Sequence, residues 1–166
     1  MSASQPDATG TGPTLELTLK TGSVIIALRP DIAPKAAERL LSLAAEGFYD
    51  NTPFHRVIPG FMAQGGDPTG TGTGGSKLAN LPAEFSREAK FELGTVGMAR
   101  TADPNSGNSQ FFICLAATPW LDGQYTIVGQ VVSGMEHVEA IKKGAGQSGS
   151  VTDPDRIVKM TAIKGQ

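Results

Sequence analysis

The sequence is poor in groups that do covalent or redox chemistry. One cysteine among 166 residues makes an intrachain disulfide impossible and excludes a thiolate-rich metal site. The two histidines, His55 and His137, lie far apart with no H-x-x-x-H spacing, so the usual sign of a zinc site is missing. Charge is scarce as well: 14 Lys and Arg stand against 16 Asp and Glu, for a net −2. That balance leaves no electrostatic footprint for nucleic acid or an anionic membrane. No apolar run approaches the ~20 residues of a spanning helix. The opening MSASQPDATGTGP lacks the basic start and apolar stretch of a secretory signal, and a cytoplasmic location is the simplest expectation. Polar and rich in Gly and Pro, residues 1–13 are expected to be disordered. Residues 14–166 suit a single domain with a sizeable core. With no coiled-coil heptads, a monomer is expected.

What the chain has in plenty is punctuation. Its 21 Gly and 11 Pro point to many turns and therefore to short strands. TLELTLK alternates, with Leu15, Leu17 and Leu19 on one face, and a Thr21-Gly22 turn leads into SVIIALR, which reads as a hairpin. DIAPKAAERLLSLAAEG reads as a helix with Pro34 at its first position, Ala37, Leu40, Leu41 and Ala44 inward and Gly47 as its stop. Residues 54–64 read as two strands broken at Pro59-Gly60. Further strands are expected over 93–99, 110–115, 125–132 and 156–163. GMEHVEAIKKG reads as a second helix, with Met135, Val138 and Ile141 inward and Lys142-Lys143 near its C-terminus. Strand–helix–strand alternation does not recur. The pattern favours a mainly β domain, a closed eight-stranded antiparallel β-barrel or sandwich with two helices covering its open ends.

Several motifs resolve to plain readings. GTGTGG, Gly70 to Gly75, matches G-x-G-x-x-G literally, but a Gly-Gly-Asp-Pro bend precedes it and no helix start follows; a flexible loop is the better reading than a nucleotide site. Cys114 sits in an apolar strand with no adjacent base and reads as a buried, inert thiol. No G-x-S-x-G elbow occurs, and no carboxylate pair suggests glycoside chemistry. His55 reads as a buried, hydrogen-bonded histidine and His137 as a helix-surface residue.

One stretch resists such readings: FHRVIPGFMAQGGD, residues 54–67. Arg56 stands inside an apolar, strand-like run, where a core strand has no use for five fixed donors. His55 and Arg56 should point to opposite sides of that strand, as should Phe111 and Phe112. Phe61 and Met62 beside Gln64, Gln110 beside Phe111-Phe112, and Trp120-Leu121 in a turn, where an indole is costly to expose, form an unusual set. Together they suggest a shallow apolar pocket rimmed by an Arg and two amides, suited to a small apolar ring with a carbonyl beside it.

FHRVIPGFMAQGGD, GTGTGG, GTVGMART and NSGNSQFFICLAATPWLDGQYTIVGQVVSGMEHVEAI together resemble the cyclophilins, from about Thr14 to Ile163. The resemblance implies an eight-stranded antiparallel barrel capped by two helices. It implies peptidyl-prolyl cis/trans isomerase activity without cofactor or metal, on proline-containing peptides and on unfolded or folding proteins. By position, Arg56 resembles the family's catalytic arginine. Phe61, Met62, Phe112 and Leu121 resemble the walls of its proline pocket, and Gln64 and Gln110 the residues that hold the arginine and the substrate backbone. Ala99 and Arg100 match the edge that pairs with the peptide main chain, and Gly72 the loop beside the neighbouring groove. Trp120 matches the residue associated with cyclosporin, which the resemblance makes a candidate ligand. Tyr125 stands where many members carry His, and Arg100 where animal members carry Asn. The competing readings are a proline-peptide binding module without catalysis and a barrel carrying a small apolar ligand; the latter leaves Arg56 and both glutamines without a role.

Overall fold

A computed structural model describes residues 13–71, 74–146 and 148–163; the expected disorder of 1–13 falls almost wholly outside them. Strands β1 (Thr14–Leu19) and β2 (Gly22–Leu28) form the expected hairpin, with Leu15, Leu17 and Leu19 buried on one side. Helix α1 (Pro34–Ala45) starts at Pro34, where the missing N–H has no intrahelical partner to lose. Its buried face is Ala36, Ala37, Leu40, Leu43 and Ala44. Leu41, expected inward, is only half-buried; Ala36 and Leu43 instead complete the buried face around Ala37, Leu40 and Ala44.

Strands β3 (Arg56–Ile58) and β4 (Met62–Gly65) follow, then β5 (Thr95–Met98), β6 (Phe111–Cys114) and β7 (Ile127–Ser133), helix α2 (Met135–Glu139) and β8 (Lys159–Ile163). The second helix is shorter than expected. Lys142 and Lys143 lie beyond it, but Lys143 Nζ still donates to the Glu139 carbonyl and, at 2.9 Å, to that of Ile141, so its charge meets the helix's C-terminal oxygens as the macrodipole favours. Of the three residues expected inward, Val138 and Ile141 are buried.

All eight strands join one antiparallel sheet in the order β3-β4-β6-β5-β7-β2-β1-β8. The sheet does not close into the expected barrel. The sheet is an open half-barrel, with β3 and β8 at its ends and no ladder between them. Other chain covers the β3 edge. Val57 N–H donates to the Gly149 carbonyl and Gly144 N–H to the Val57 carbonyl, both at 2.8 Å. Just before β3, Asn51 N–H and Phe54 N–H donate to the carbonyls of Ile157 and Asp155. A loop and a few isolated bonds thus satisfy an edge that would otherwise be open to another chain. Gly149 allows this approach. It has φ +72°, and a Cβ there would lie 2.5 Å from Ile58 Cγ1.

The core lies between the sheet and α1 and includes Val57, Ala63, Val96, Phe111 and Ile113. A second, smaller apolar cluster of Met62, Phe91, Phe112, Cys114, Leu121 and Ile127 lies on the other face of the same strands.

Candidate functional site

Strand register brings the site together. Arg56 pairs with Gln64 across β3 and β4, Gln64 with Phe112 across β4 and β6, and Phe112 with Gly97 across β6 and β5. Side chains opposite one another in a ladder share a face, so an arginine, an amide and an aromatic ring fall in one row. The alternate row of Val57, Ala63, Ile113 and Val96 faces the core. Period two therefore places Phe111 and Phe112 in opposite clusters, as the sequence predicts.

Pro59 and Gly60 make the turn from β3 to β4. The Phe61 N–H reaches the Ile58 carbonyl at 3.0 Å, and Gly60 has φ +73°, the left-handed value a type II turn requires at its third residue. That turn sets Phe61 on the pocket's rim. Leu121 comes from a single 3-10 turn, Pro119–Leu121. This turn is tied to the chain before β5: Thr118 N–H donates to the Phe91 carbonyl at 3.0 Å, and Phe91 N–H to Asp122 Oδ1 at 2.7 Å.

The result is a pocket of about 120 Å³. Phe61, Met62, Phe112 and Leu121 give it apolar walls, Arg56 and Gln64 lie on one side, and Ala99, Arg100 and Tyr125 on the other. Phe112 is held between two rings, stacked with Phe91 at 5.8 Å between centroids and edge-on to Tyr125 at 5.8 Å. Trp120 lines neither this pocket nor its neighbour. Its indole is 62% exposed and tilted against Phe61 at 5.7 Å. Trp120, which the sequence grouped with the pocket residues, is thus left largely in solvent at the outer margin, with Phe61 against it. Gly72 lies outside the described residues.

Arg56 is tightly held. Its Nε donates to the Ser148 carbonyl at 2.8 Å and its Nη1 to Gln64 Oε1 at 3.2 Å. Gln64 Nε2 in turn donates to Gln110 Oε1 at 2.9 Å, and Gln110 Nε2 to the Gly74 carbonyl at 2.9 Å. Gln110 is therefore set back from the pocket and acts on it through Gln64; it lines an adjoining groove of about 470 Å³ instead. Among the described residues Arg56 Nη2 has no hydrogen-bond partner and no carboxylate pairs with the guanidinium. Arg56 thus presents a fixed, charged donor at the rim of an apolar pocket.

The other candidates for chemistry stand apart. Burial pushes the Cys114 thiol up to about 11, with Thr118 Oγ1 at 3.6 Å, so it stays neutral and inert. His55 departs from expectation: its buried Nδ1 has no hydrogen-bond partner among the described residues, and burial lowers its pKa. The strand that orients Arg56 outward leaves the imidazole against chain that offers it no partner. His137 is half-buried rather than simply superficial, its Nδ1 3.0 Å from Thr21 Oγ1. No group of three or more His, Cys, Asp or Glu able to hold a metal occurs among the described residues, and no helix there is long and apolar enough to cross a membrane.

Three parts of the site carry no signal that the motifs singled out. Phe91 lies in an irregular stretch of weak apolar content. Gly97 faces Phe112 and Phe91; a Cβ there would sit 2.6 Å from one ring and 2.8 Å from the other. A glycine inside a strand is a sign of close approach, and that sign could have flagged it. The Ser148 carbonyl that anchors Arg56 is 92 residues away in sequence, and no local pattern reveals it.

The profile described as "Cyclophilin type peptidyl-prolyl cis-trans isomerase/CLD" matches residues 14–162. The chain belongs to this family of enzymes. A Brucella suis protein named "Probable peptidyl-prolyl cis-trans isomerase" is 52% identical over 160 residues, covering 89% of this chain and 81% of that one. A Schizosaccharomyces pombe peptidyl-prolyl cis-trans isomerase is 43% identical over 159 residues, covering 90% and 98%. Among solved structures, a Cryptosporidium parvum cyclophilin-type isomerase crystallised in the presence of the dipeptide Ala-Pro superposes with a TM-score of 0.81 at 34% identity, covering 89% of this chain and 97% of that one. The family and mainly β fold expected from the motifs are therefore borne out.

Proposed function

We propose that the chain accelerates rotation about X-Pro peptide bonds in peptides and folding proteins, with the proline ring in the pocket beside Arg56. The observation that carries this reading is the anchored Arg56 guanidinium with one nitrogen unpartnered at the rim of a small apolar pocket. The Ala-Pro dipeptide present with the Cryptosporidium relative supports a proline-containing ligand.

The mechanism follows from amide physics. Rotation is slow because the nitrogen lone pair is delocalised into the carbonyl, a barrier of about 18–20 kcal/mol, and uncatalysed X-Pro exchange takes tens to hundreds of seconds. As the bond twists, the nitrogen regains its lone pair and becomes a hydrogen-bond acceptor. A guanidinium aimed at it stabilises the twisted state more than either planar state, which is what lowers a barrier. Phe61, Met62, Phe112 and Leu121 hold the ring while the preceding carbonyl turns. Gln64 keeps Arg56 in position, and Gln110 keeps Gln64. The free Ala99 carbonyl and Arg100 amide, which carry no hydrogen bond among the described residues, offer a backbone edge to the peptide. No bond forms or breaks, so the site needs geometry rather than a nucleophile. A barrier lowered by about 8 kcal/mol would give roughly a million-fold acceleration.

The test is an isomerisation assay on a short X-Pro peptide with the wild type and Arg56→Ala. Strong acceleration that the substitution largely abolishes is expected; equal rates would remove Arg56 from the mechanism. Binding of the peptide without exchange broadening in NMR spectra would identify a binding module instead.

A further inference from the structure

The pocket and the adjoining groove share three lining residues, Gln64, Ala99 and Arg100, which form a ridge between them. A peptide seated in the pocket and extending toward the groove must cross it. Arg100 is rigidly placed there. Its Nε donates to the Gln124 carbonyl at 3.0 Å and its Nη1 to the carbonyls of Thr101 at 2.9 Å and Ala102 at 3.4 Å. Its guanidinium carbon lies 4.5 Å from the centroid of the Tyr125 ring, a cation–π contact. Three carbonyls and a ring thus fix the planar group before any ligand arrives. Among the described residues, Nη2 has no hydrogen-bond partner and no carboxylate pairs with Arg100.

The charged residues that line the site have one sign. Among the described residues, Arg56 and Arg100 are the charged residues of the pocket and Arg100 that of the groove, with no Asp or Glu in either lining. The acids on the flanking loops are engaged elsewhere: Asp103 Oδ1 accepts from Asn105 N–H at 2.9 Å, and Asp122 Oδ1 from Phe91 N–H. A chain of net charge −2 therefore carries a fixed positive rim around its ligand site. A preorganised guanidinium with Nη2 still open suits a single charge-assisted bond to a carboxylate, since little side-chain entropy is lost on pairing.

We propose that Arg100, held over Tyr125, makes this site select proline peptides that carry an acidic side chain within two residues of the proline. This rests on the reading of the pocket as a proline site. The test is a set of short peptides bearing Asp or Lys at one position at a time, one or two residues before the proline and one or two after it. The readout is the Asp-to-Lys ratio of kcat/KM, not either value alone, because Arg100 belongs to the binding surface. At one of these positions the ratio should be about three to ten, the scale of a solvent-accessible charge pair. It should shrink at high salt and fall toward one in Arg100→Gln, while Arg100→Lys should retain part of it. Ratios of one at every position, or an Asp advantage that survives in Arg100→Gln, would overturn the proposal. Titrating the same peptides by NMR separates it from the isomerase reading. An Asp preference in Kd without acceleration of any peptide rejects catalysis and keeps the charge preference; acceleration of all peptides without that preference rejects the charge preference alone.

Discussion

Phe111 and Phe112 are neighbours in the chain and belong to different structures. Phe111 is sealed in the main core, edge-on to Tyr49 and Phe54. Phe112 stands on the opposite face, between Phe91 and Tyr125, as a wall of the pocket. The same division runs across β3, β4 and β6. The inner row is wholly apolar, whereas the outer row places an arginine and a glutamine next to an aromatic ring. One face spends its side chains on stability and tolerates no gap. The other keeps an open hollow and a charged donor, which the proposed function needs and stability alone would not select.

That contrast can be broken most directly at Arg56. Arg56→Ala should lower kcat/KM by on the order of a hundred- to a thousand-fold, the size of losing one preorganised donor, and leave the urea midpoint nearly unchanged. A large stability loss would show that the outer row also holds the fold. Ile113→Ala, on the inner row, should behave in the opposite way. It should cost about 2–5 kcal/mol in urea unfolding, while the protein that remains folded binds peptide normally. Gly97→Ala tests the seam between the two faces. Its new Cβ would press on Phe112 and Phe91, with an expected cost of about 1–3 kcal/mol and, as the sharper readout, weaker peptide binding by isothermal titration than in Ile113→Ala. An unchanged Kd would mean that the ring wall can shift freely.

The smallest effect is set by pH. Burial holds the His55 pKa below its ordinary 6.5. The unfolded chain therefore takes up the proton more readily, and stability is full above about pH 6.5 and falls as the pH drops toward the folded pKa. Urea midpoints measured between pH 7.5 and 5 should decline, and His55→Gln should flatten part of that decline. An identical slope in the variant would assign the decline to other groups.

Much of the site was legible because its signals are local. An arginine inside an apolar strand run, amides beside aromatic pairs and a Pro-Gly break all show in a few consecutive residues. The alternation of Phe111 and Phe112 needs only the period of a strand. The length of α2 and the closure of the sheet were misjudged, since both depend on what the rest of the chain covers. Lys142-Lys143 looked helical by sequence, yet both lie beyond α2: Lys143 reaches back to the helix end, while Lys142 turns to the carbonyls of Thr152 and Asp153. The eight strands suggested closure, yet the β3 edge is satisfied by Gly144 and Gly149. Trp120 looked costly to expose, yet only Phe61 shields it.

The sequence by itself determined which side chains could share a face, because the period of a strand is a property of the backbone at each residue. It also determined the family, because whole motifs survive in order. Only the tertiary structure decided that Arg56, Gln64 and Phe112 lie abreast, that Ser148 anchors Arg56 and that Arg100 rests on Tyr125. These are matters of register and of contacts between residues far apart in the chain, set by the packing of the whole sheet rather than by any segment of it.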